Sequence, residues 1–333
     1  MWNEFTLRPV SLRYEKPQLK AFLAEHGLKY EENIETAFGL FDEEEAMLGC
    51  GCAAGSLLKC FAVAEALRGQ NALGTLVSAL VQERFSAGFT QLFTVTRAHN
   101  ERLFQGCGFY TVAKTDTLIL LENRKDGPER FCRPFLQPGD AEKSVGAIVM
   151  HCNPFTLGHR YLIEEAAKRT EVLHIFVLEE DGALFPAADR LRLVREGTAD
   201  LTNVRVHSGG PYMISSATFP TYFLKQNEDA ARLQCALDAA VFAKRIAPAL
   251  HITRRFVGSE PIDALTAAYN GILQTALPEK GIQVTVIERK TQDGEVISAS
   301  RVRALLQTPG GIEQALTLVP PCTAAYIRDR FGK

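Results

Sequence analysis

Met150-His151-Cys152-Asn153-Pro154-Phe155-Thr156-Leu157-Gly158-His159 overlaps the end of an apolar run, Val145-Gly146-Ala147-Ile148-Val149-Met150, and precedes a segment with Tyr161, Leu162, Glu165 and Ala166 at helical spacing. The run reads as a buried parallel strand, and the segment as a helix whose first turn takes the last residues of the motif. A strand that enters a helix through a tight Pro/Gly loop makes an anion site. N–H groups without helical partners and the positive end of the helix dipole point at it, and Gly158 withdraws the side chain that would block a phosphate.

Toward the C-terminus the pattern repeats. Strands at 145–150, 172–178, 204–206, 255–257 and 282–287 alternate with helices at 158–169, 187–199, 228–246 and 262–276 and with a helical region from about 300. Such alternation predicts βαβ crossovers, a doubly wound parallel (Rossmann-like) sheet, and a ligand at the carboxyl ends of its strands. Toward the N-terminus the segments 36–41, 46–50 and 58–63 read as an antiparallel meander. A helix over 72–87, a strand over 91–95, a short helix over 100–105 and closing strands over 110–113 and 116–121 complete a mixed α/β domain. The expected division is therefore 1–125 for the first domain, 126–143 for a Pro- and Gly-containing linker, and 144–333 for the second domain.

A chain of 333 residues can bury two cores. With 46% apolar and 23% charged residues and a net charge of −2, it lacks the basic excess that nucleic acid or anionic lipid would favour. No run approaches the roughly 20 apolar residues that span a bilayer, and Met1-Trp2-Asn3-Glu4 does not open a signal peptide. The expectation is a cytoplasmic protein with no nucleic acid or membrane partner. The eight cysteines are scattered, without a CxxC pair or histidines at zinc spacing, and read as reduced thiols; Cys152 reads as packing and His174 as a core histidine.

Thr156-Leu157-Gly158-His159 and Ile297-Ser298-Ala299-Ser300-Arg301-Val302-Arg303 carry the chemistry. Attack on a phosphate builds charge on its oxygens. Thr156 and an imidazole at His159 on a helix N-terminus supply donors, Ser298 and Ser300 supply hydroxyls and a second helix start, and Arg303 supplies a permanent charge with fork geometry. Together the two elements resemble the paired T-x-G-H and I-S-x-S/T-x-x-R motifs of the nucleotidyltransferase superfamily. That resemblance implies ATP with Mg²⁺, catalytic roles for Thr156, His159, Ser298 and Arg303, and ATP contacts from Asn153, Pro154, Phe155, Gly158, Gly258, Glu260 and Ser300. Read from the residues alone, Gly258 and Glu260 fit either an approach to adenosine or a capped strand-end turn. Lys225 fits either a phosphate or substrate contact or a solvated lysine. Arg254 and Arg255 alternate on a strand, so at most one faces the site, and Arg255 is the candidate.

Residues 1–125 resemble the acetyl-CoA-dependent N-acetyltransferase (GNAT) superfold through Asn100-Glu101-Arg102-Leu103-Phe104-Gln105-Gly106-Cys107-Gly108-Phe109 and the loop Leu67-Arg68-Gly69-Gln70-Asn71-Ala72-Leu73-Gly74. In that loop Ala72 stands where the superfold has a glycine, and its methyl intrudes on a phosphate cradle. Further stretches are Leu178-Glu179-Glu180-Asp181, Phe185-Pro186, Asp189-Arg190, the run Tyr212 to Lys225, and Arg254-Arg255-Phe256-Val257-Gly258-Ser259-Glu260-Pro261. With the two phosphate motifs they make nearly the whole chain resemble the citrate lyase ligase family. The resemblance implies an ATP- and acetate-dependent, AMP-forming acid–thiol ligase that acetylates the CoA-derived thiol on the acyl carrier subunit of citrate lyase. It implies an acetyl-adenylate on the way; because an acetyltransferase-like fold has a groove for a pantetheine arm, a further hypothesis is that residues 1–125 dock the carrier's arm. The alternative is a small-molecule adenylyltransferase of the pantetheine-phosphate or nicotinamide-mononucleotide type, fused to a degenerate acetyltransferase domain.

Overall fold

The structure is a computed structural model that describes residues 5–67, 69–179, 183–214, 219–225, 229–260 and 264–332. Of the stretches named above, Met1–Glu4, Arg68, Glu180, Asp181, Ser215–Thr218 and Pro261 lie outside the described residues. The chain forms two compact units, Met1–Gly127 with Phe219–Leu233, and Pro128–Thr218 with Gln234–Lys333.

The first unit contains β1 (Thr6–Pro9), α1 (Lys16–Glu25), β2 (Thr36–Phe41), β3 (Met47–Ala54), β4 (Leu57–Val63), α2 (Ala72–Ser86), β5 (Phe93–Arg97), α3 (Glu101–Gly106), β6 (Tyr110–Lys114) and β7 (Leu118–Glu122). They form one sheet in the order β1-β2-β3-β4-β5-β7-β6. The expected meander is β2 to β4, and α2 buries Leu76, Val77 and Leu80 against the sheet as its 3, 4 and 7 spacing requires. Strands β4 and β5 run parallel and pair at Leu57 and Phe93 alone, so they diverge beyond that point. Near the divergence a cavity of about 870 Å³ is lined by Phe61, Val63, Asn71, Thr96, Arg97, Tyr222 and other residues of this unit.

Tyr222 comes from the second half of the sequence, and its place in the first unit is a departure from a boundary at residue 125. Backbone bonds explain it. Lys29 N–H donates to Tyr222 O at 2.8 Å, Arg97 to Phe223 O at 2.8 Å, Thr221 N–H to Glu31 at 2.7 Å, and the buried Tyr222 hydroxyl to Val95 O at 3.2 Å.

The second unit holds α4 (Gly127–Cys132, its first residue in the first unit), β8 (Val145–Met150), α5 (Leu157–Ala167), β9 (Val172–Val177), α6 (Ala187–Glu196), β10 (Val204–Ser208) and most of α7 (Ala230–Val241). A π-helical turn, Phe242–Ile246, carries α7 into α8 (Ala247–Ala249). Then come β11 (Ile252–Gly258), α9 (Ala264–Ala276), β12 (Gln283–Ile287), the hairpin β13 (Thr291–Gln292) and β14 (Glu295–Val296), α10 (Ala299–Leu306), α11 (Ile312–Leu316) and α12 (Pro321–Phe331). The sheet is parallel, in the order β10-β9-β8-β11-β12. Every residue of β9 is buried, as a central parallel strand needs, whereas the edge strand β12 is largely half-exposed. Strand order reverses at β8: β9 and β10 lie on one side, β11 and β12 on the other. The crevice at the carboxyl ends of β8 and β11 is thus the switch point where doubly wound sheets bind ligands.

The expected linker, 126–143, is largely folded onto the second unit. Phe135 stacks on His207 at 4.0 Å, Phe131 packs on Tyr212 at 5.3 Å, and Arg205 holds the buried Asp140 carboxylate with bonds of 2.6 and 2.9 Å. That guanidinium, helped by the Gln137 N–H, holds the Asp140 carboxyl down at about 2. Glycine and proline in this stretch mark turns between anchoring side chains rather than a free tether. His174, as expected, is a core histidine, fully buried with its Nδ1 at 2.9 Å from His207 Nε2. Asp140→Asn is expected to cost about 3 kcal/mol, because it leaves the Arg205 charge without its partner in a largely buried site. Its depressed carboxyl stabilises the fold above the unfolded pKa near 4 and loses that contribution as pH falls through about 2. Urea midpoints of the full chain at pH 7 test this, and an unchanged midpoint would return residues 126–143 to linker status.

Candidate functional site

Two helix starts make the site in the second unit. Thr156 is the N-cap of α5 in an extended conformation, and its Oγ1 accepts the His159 N–H at 3.3 Å. The His159 ring answers in the manner of a capping box, with Nδ1 accepting the Thr156 N–H at 3.1 Å. A backbone N–H can only donate, so Nδ1 is the acceptor nitrogen and the proton of the neutral ring sits on Nε2. The fold's own helix cap therefore sets the tautomer. Burial lowers the imidazole to about 4, and the Arg289, His151 and Arg303 charges push the same way, so the ring is neutral at physiological pH.

Ser298 caps α10 in the same way, its Oγ accepting the Arg301 N–H at 3.1 Å. The two starts are in contact: a β-carbon on Gly158 would stand 2.6 Å from the carbonyl oxygen of Ile297. Gly158 is thus required by the approach of the second motif as well as by any phosphate. Between them opens a cavity of about 170 Å³, partly open to solvent. Among its lining residues are Thr156, Gly158, His159, Arg255, Gly258 and Ser298. The structure brings these six candidates together at the carboxyl ends of β8 and β11, facing two positive helix ends.

The other candidates lie outside the lining of this cavity. Phe155 is fully buried in the core with Ile148, Ile163, Phe256, Ile297 and Val302, and its ring lies parallel to that of His159 at 6.1 Å. It backs the imidazole from the core. Asn153 and Pro154, joined by a cis peptide, belong to the supporting loop; Asn153 Oδ1 accepts the Phe185 N–H at 3.1 Å. Arg303 ties the motifs together, donating to Asn153 O and, at 3.0 Å, to Ser300 Oγ, so Ser300 and Arg303 brace the site from outside the cavity lining. Glu260 pairs with Arg289. Lys225 belongs to the first unit. Burial pushes the Cys152 thiol far up, in keeping with a packing role.

Arg289, Tyr269, Asn270 and Glu288 line the cavity and escaped the sequence reading. Arg289 follows the end of β12, and a charged residue just past a parallel strand at a switch-point crevice was the available signal. Arg190, part of one of the stretches behind the family resemblance, is fully buried and donates to the carbonyls of Phe185, His151 and Leu178, fixing the loops after β8 and β9.

A doubly wound sheet with paired helix starts over its switch point defines a nucleotidyltransferase-like domain, here joined to a mixed α/β unit. The family described as Citrate lyase ligase C-terminal domain matches residues 145–327. The [citrate [pro-3S]-lyase] ligase of Klebsiella pneumoniae is 38% identical over 96% of this chain and 96% of that protein, and the one from Escherichia coli K12 is 37% identical over 94% and 90%. The chain belongs to the citrate lyase ligase family and is a ligase. Among solved structures, an acyl-CoA N-acyltransferase from Pseudomonas aeruginosa matches at 14% identity over 36% of this chain and 99% of that one, with a TM-score of 0.30.

Two outcomes follow for the site. Gly158→Ala should destabilise the chain by roughly 1–3 kcal/mol, because the methyl meets backbone and not a movable side chain; thermal denaturation reads it, and an unshifted midpoint would mean the two motifs do not touch. His159 should stay in the neutral Nε2–H form on descending from pH 8 to 6 in the nucleotide-free protein and titrate near 4. As its folded pKa lies below its unfolded one, its contribution to stability is complete above about 6.5 and disappears as pH falls through 4. Nitrogen-15 NMR of labelled histidine distinguishes this from a ring that titrates at 6.5.

Proposed function

We propose that the second unit binds ATP across the starts of α5 and α10 and joins its AMP moiety to acetate. The acetyl group then passes to the CoA-derived thiol carried by the acyl carrier subunit of citrate lyase. The observation that carries this reading is the His159 tautomer, which presents a neutral Nε2–H donor in a cavity walled by two helix N-termini. ATP exceeds the cavity's volume, so the nucleotide would extend through its open side over the Gly158 and Ser298 turns.

In the first step one acetate oxygen attacks the α-phosphorus. A P–O bond forms, the bond to pyrophosphate breaks, and its electron pair leaves with pyrophosphate. Acetate is ionised near neutral pH, so this step needs positioning and charge stabilisation more than a base. Nε2–H of His159 and the two helix starts would donate to the phosphate oxygens that gain charge. Thr156, whose hydroxyl is engaged by the cap, acts through His159 as a positioning residue. In the second step the carrier thiolate attacks the acetyl carbonyl, forming the thioester and releasing AMP.

Mg²⁺ would neutralise the triphosphate. No cluster of three or more His, Cys, Asp or Glu suited to a metal exists among the described residues; this ion is commonly held through substrate phosphates and water. We further propose that the first unit's cavity, with Phe61 and Val63 for apolar wall and Asn71 and Thr96 for hydrogen bonds, receives the carrier's pantetheine-like arm. A cytoplasmic setting agrees with eight free cysteines, six of them buried. No helix among the described residues is long and apolar enough to cross a membrane.

Purified protein should exchange labelled pyrophosphate into ATP only when acetate is present and form AMP when carrier is added. His159→Gln should cut the exchange rate roughly 100- to 1,000-fold with little change in ATP KM. A product in which AMP remains joined to a phosphorylated small molecule would support the adenylyltransferase alternative instead.

A further inference from the structure

The cavity is lined by a buried cation two of whose nitrogens have no hydrogen-bond acceptor among the described residues. Arg255 is 2% exposed, and no partner reaches its Nε or Nη1. Its guanidinium lies over the Phe242 ring at 4.4 Å, and Arg255 itself lines the cavity. The neighbouring Arg254 is turned the other way and donates to Arg169 O. A desolvated guanidinium with unmet donors is costly unless a ligand completes it.

Its surroundings are built to hold it. Phe242 opens the π-helical turn after α7, a distortion that recurs at functional sites. From α9, Tyr269 donates to Asp238 Oδ2 at 2.5 Å, and Asp238 Oδ1 accepts the Ile214 N–H at 2.9 Å. Asp238 attracts the Arg255 charge but forms no ion pair with it within 4 Å among the described residues, so Nε and Nη1 stay available.

We propose that Arg255 is the carboxylate-binding residue of the acid subsite, and that Phe242, Tyr269 and Asp238 position it. This rests on the reading of the second unit as an ATP-dependent acid-activating site. A carboxylate fits better than a phosphate. Phosphates are met by the two capped helix starts, whereas Arg255 sits on the strand three residues before its end, opposite Ala147 of β8. A phosphate there would also bring additional negative charge toward the Asp238 carboxyl. A cavity of about 170 Å³ suits a short acid. One carboxylate oxygen on the guanidinium leaves the other free to attack.

The test is acetate-dependent pyrophosphate exchange by the full chain, with acetate and ATP varied separately, for wild type, Arg255→Met and Arg255→Lys. Arg255→Met should raise the KM for acetate about 30-fold, the scale of lost charge-assisted hydrogen bonds, and change the KM for ATP less than about twofold. Arg255→Lys, which keeps the charge but not the fork, should fall between. The ligand-free thermal midpoint of Arg255→Met should stay close to that of wild type, since Nε and Nη1 make no hydrogen bond among the described residues for the variant to lose and methionine keeps the apolar contact with Phe242. A rise in ATP KM with acetate KM unchanged would make Arg255 a phosphate ligand and overturn the proposal. So would a lowered midpoint with both constants shifted alike, the mark of a structural pillar. Absence of exchange in wild type would instead refute the parent reading.

Discussion

The site depends on one missing β-carbon. With no side chain at Gly158, the carbonyl of Ile297 settles over the first turn of α5, and two motifs far apart in sequence become one wall. The other ties reinforce that contact. Arg303 on α10 reaches back to the Asn153 carbonyl, Leu157 N–H donates to Leu318 O, and Phe155, Ile297 and Val302 share a core. Each tie sets the direction of a helix start. The two dipoles therefore add at one cavity, where either alone would be a weaker, solvent-screened anion site.

Around that wall the charges are handled unequally. Arg289 is neutralised by Glu260 and held further by the Ser259 carbonyl at 2.7 Å. His159 is kept neutral by burial and by the neighbouring cations. Arg255 has no hydrogen-bond acceptor at Nε or Nη1 among the described residues. A folded chain retains such a group against a stability cost when function requires it, and the cost is lowest when a bound anion completes the guanidinium.

Much of this was legible in the sequence because it is local. Apolar runs at 145–150 and 172–177 announce central parallel strands, and the two phosphate motifs announce capped helix starts. Alternation along β11 showed that Arg254 and Arg255 could not both face the site, and the structure turns Arg255 inward. What escaped is long-range. Periodicity reports which face of an element is apolar but not what covers it, so Phe131 and Phe135 passed for linker residues although they cover Tyr212 and His207. The same limit hid the membership of Phe219–Leu233 in the first unit, which rests on bonds to Glu31, Val95 and Arg97. The burial of Phe155 was hidden for a related reason: a motif residue can pack into the core behind its neighbours.

The capping arrangement at Thr156 shows why the motif is so short. A capping box usually takes a glutamate or glutamine at its third helical position, and here the imidazole fills that place. A carboxylate there would bring negative charge to the site of an incoming phosphate, and an amide would offer a rotatable group without a fixed donor. Histidine satisfies the backbone N–H through Nδ1 and so leaves its single remaining proton on Nε2. One residue thereby caps the helix, fixes its own tautomer and carries a neutral donor. The spacing of three from Thr156 to His159 follows from helix geometry, and the gap between them leaves position 158 as the turn that the second motif must approach.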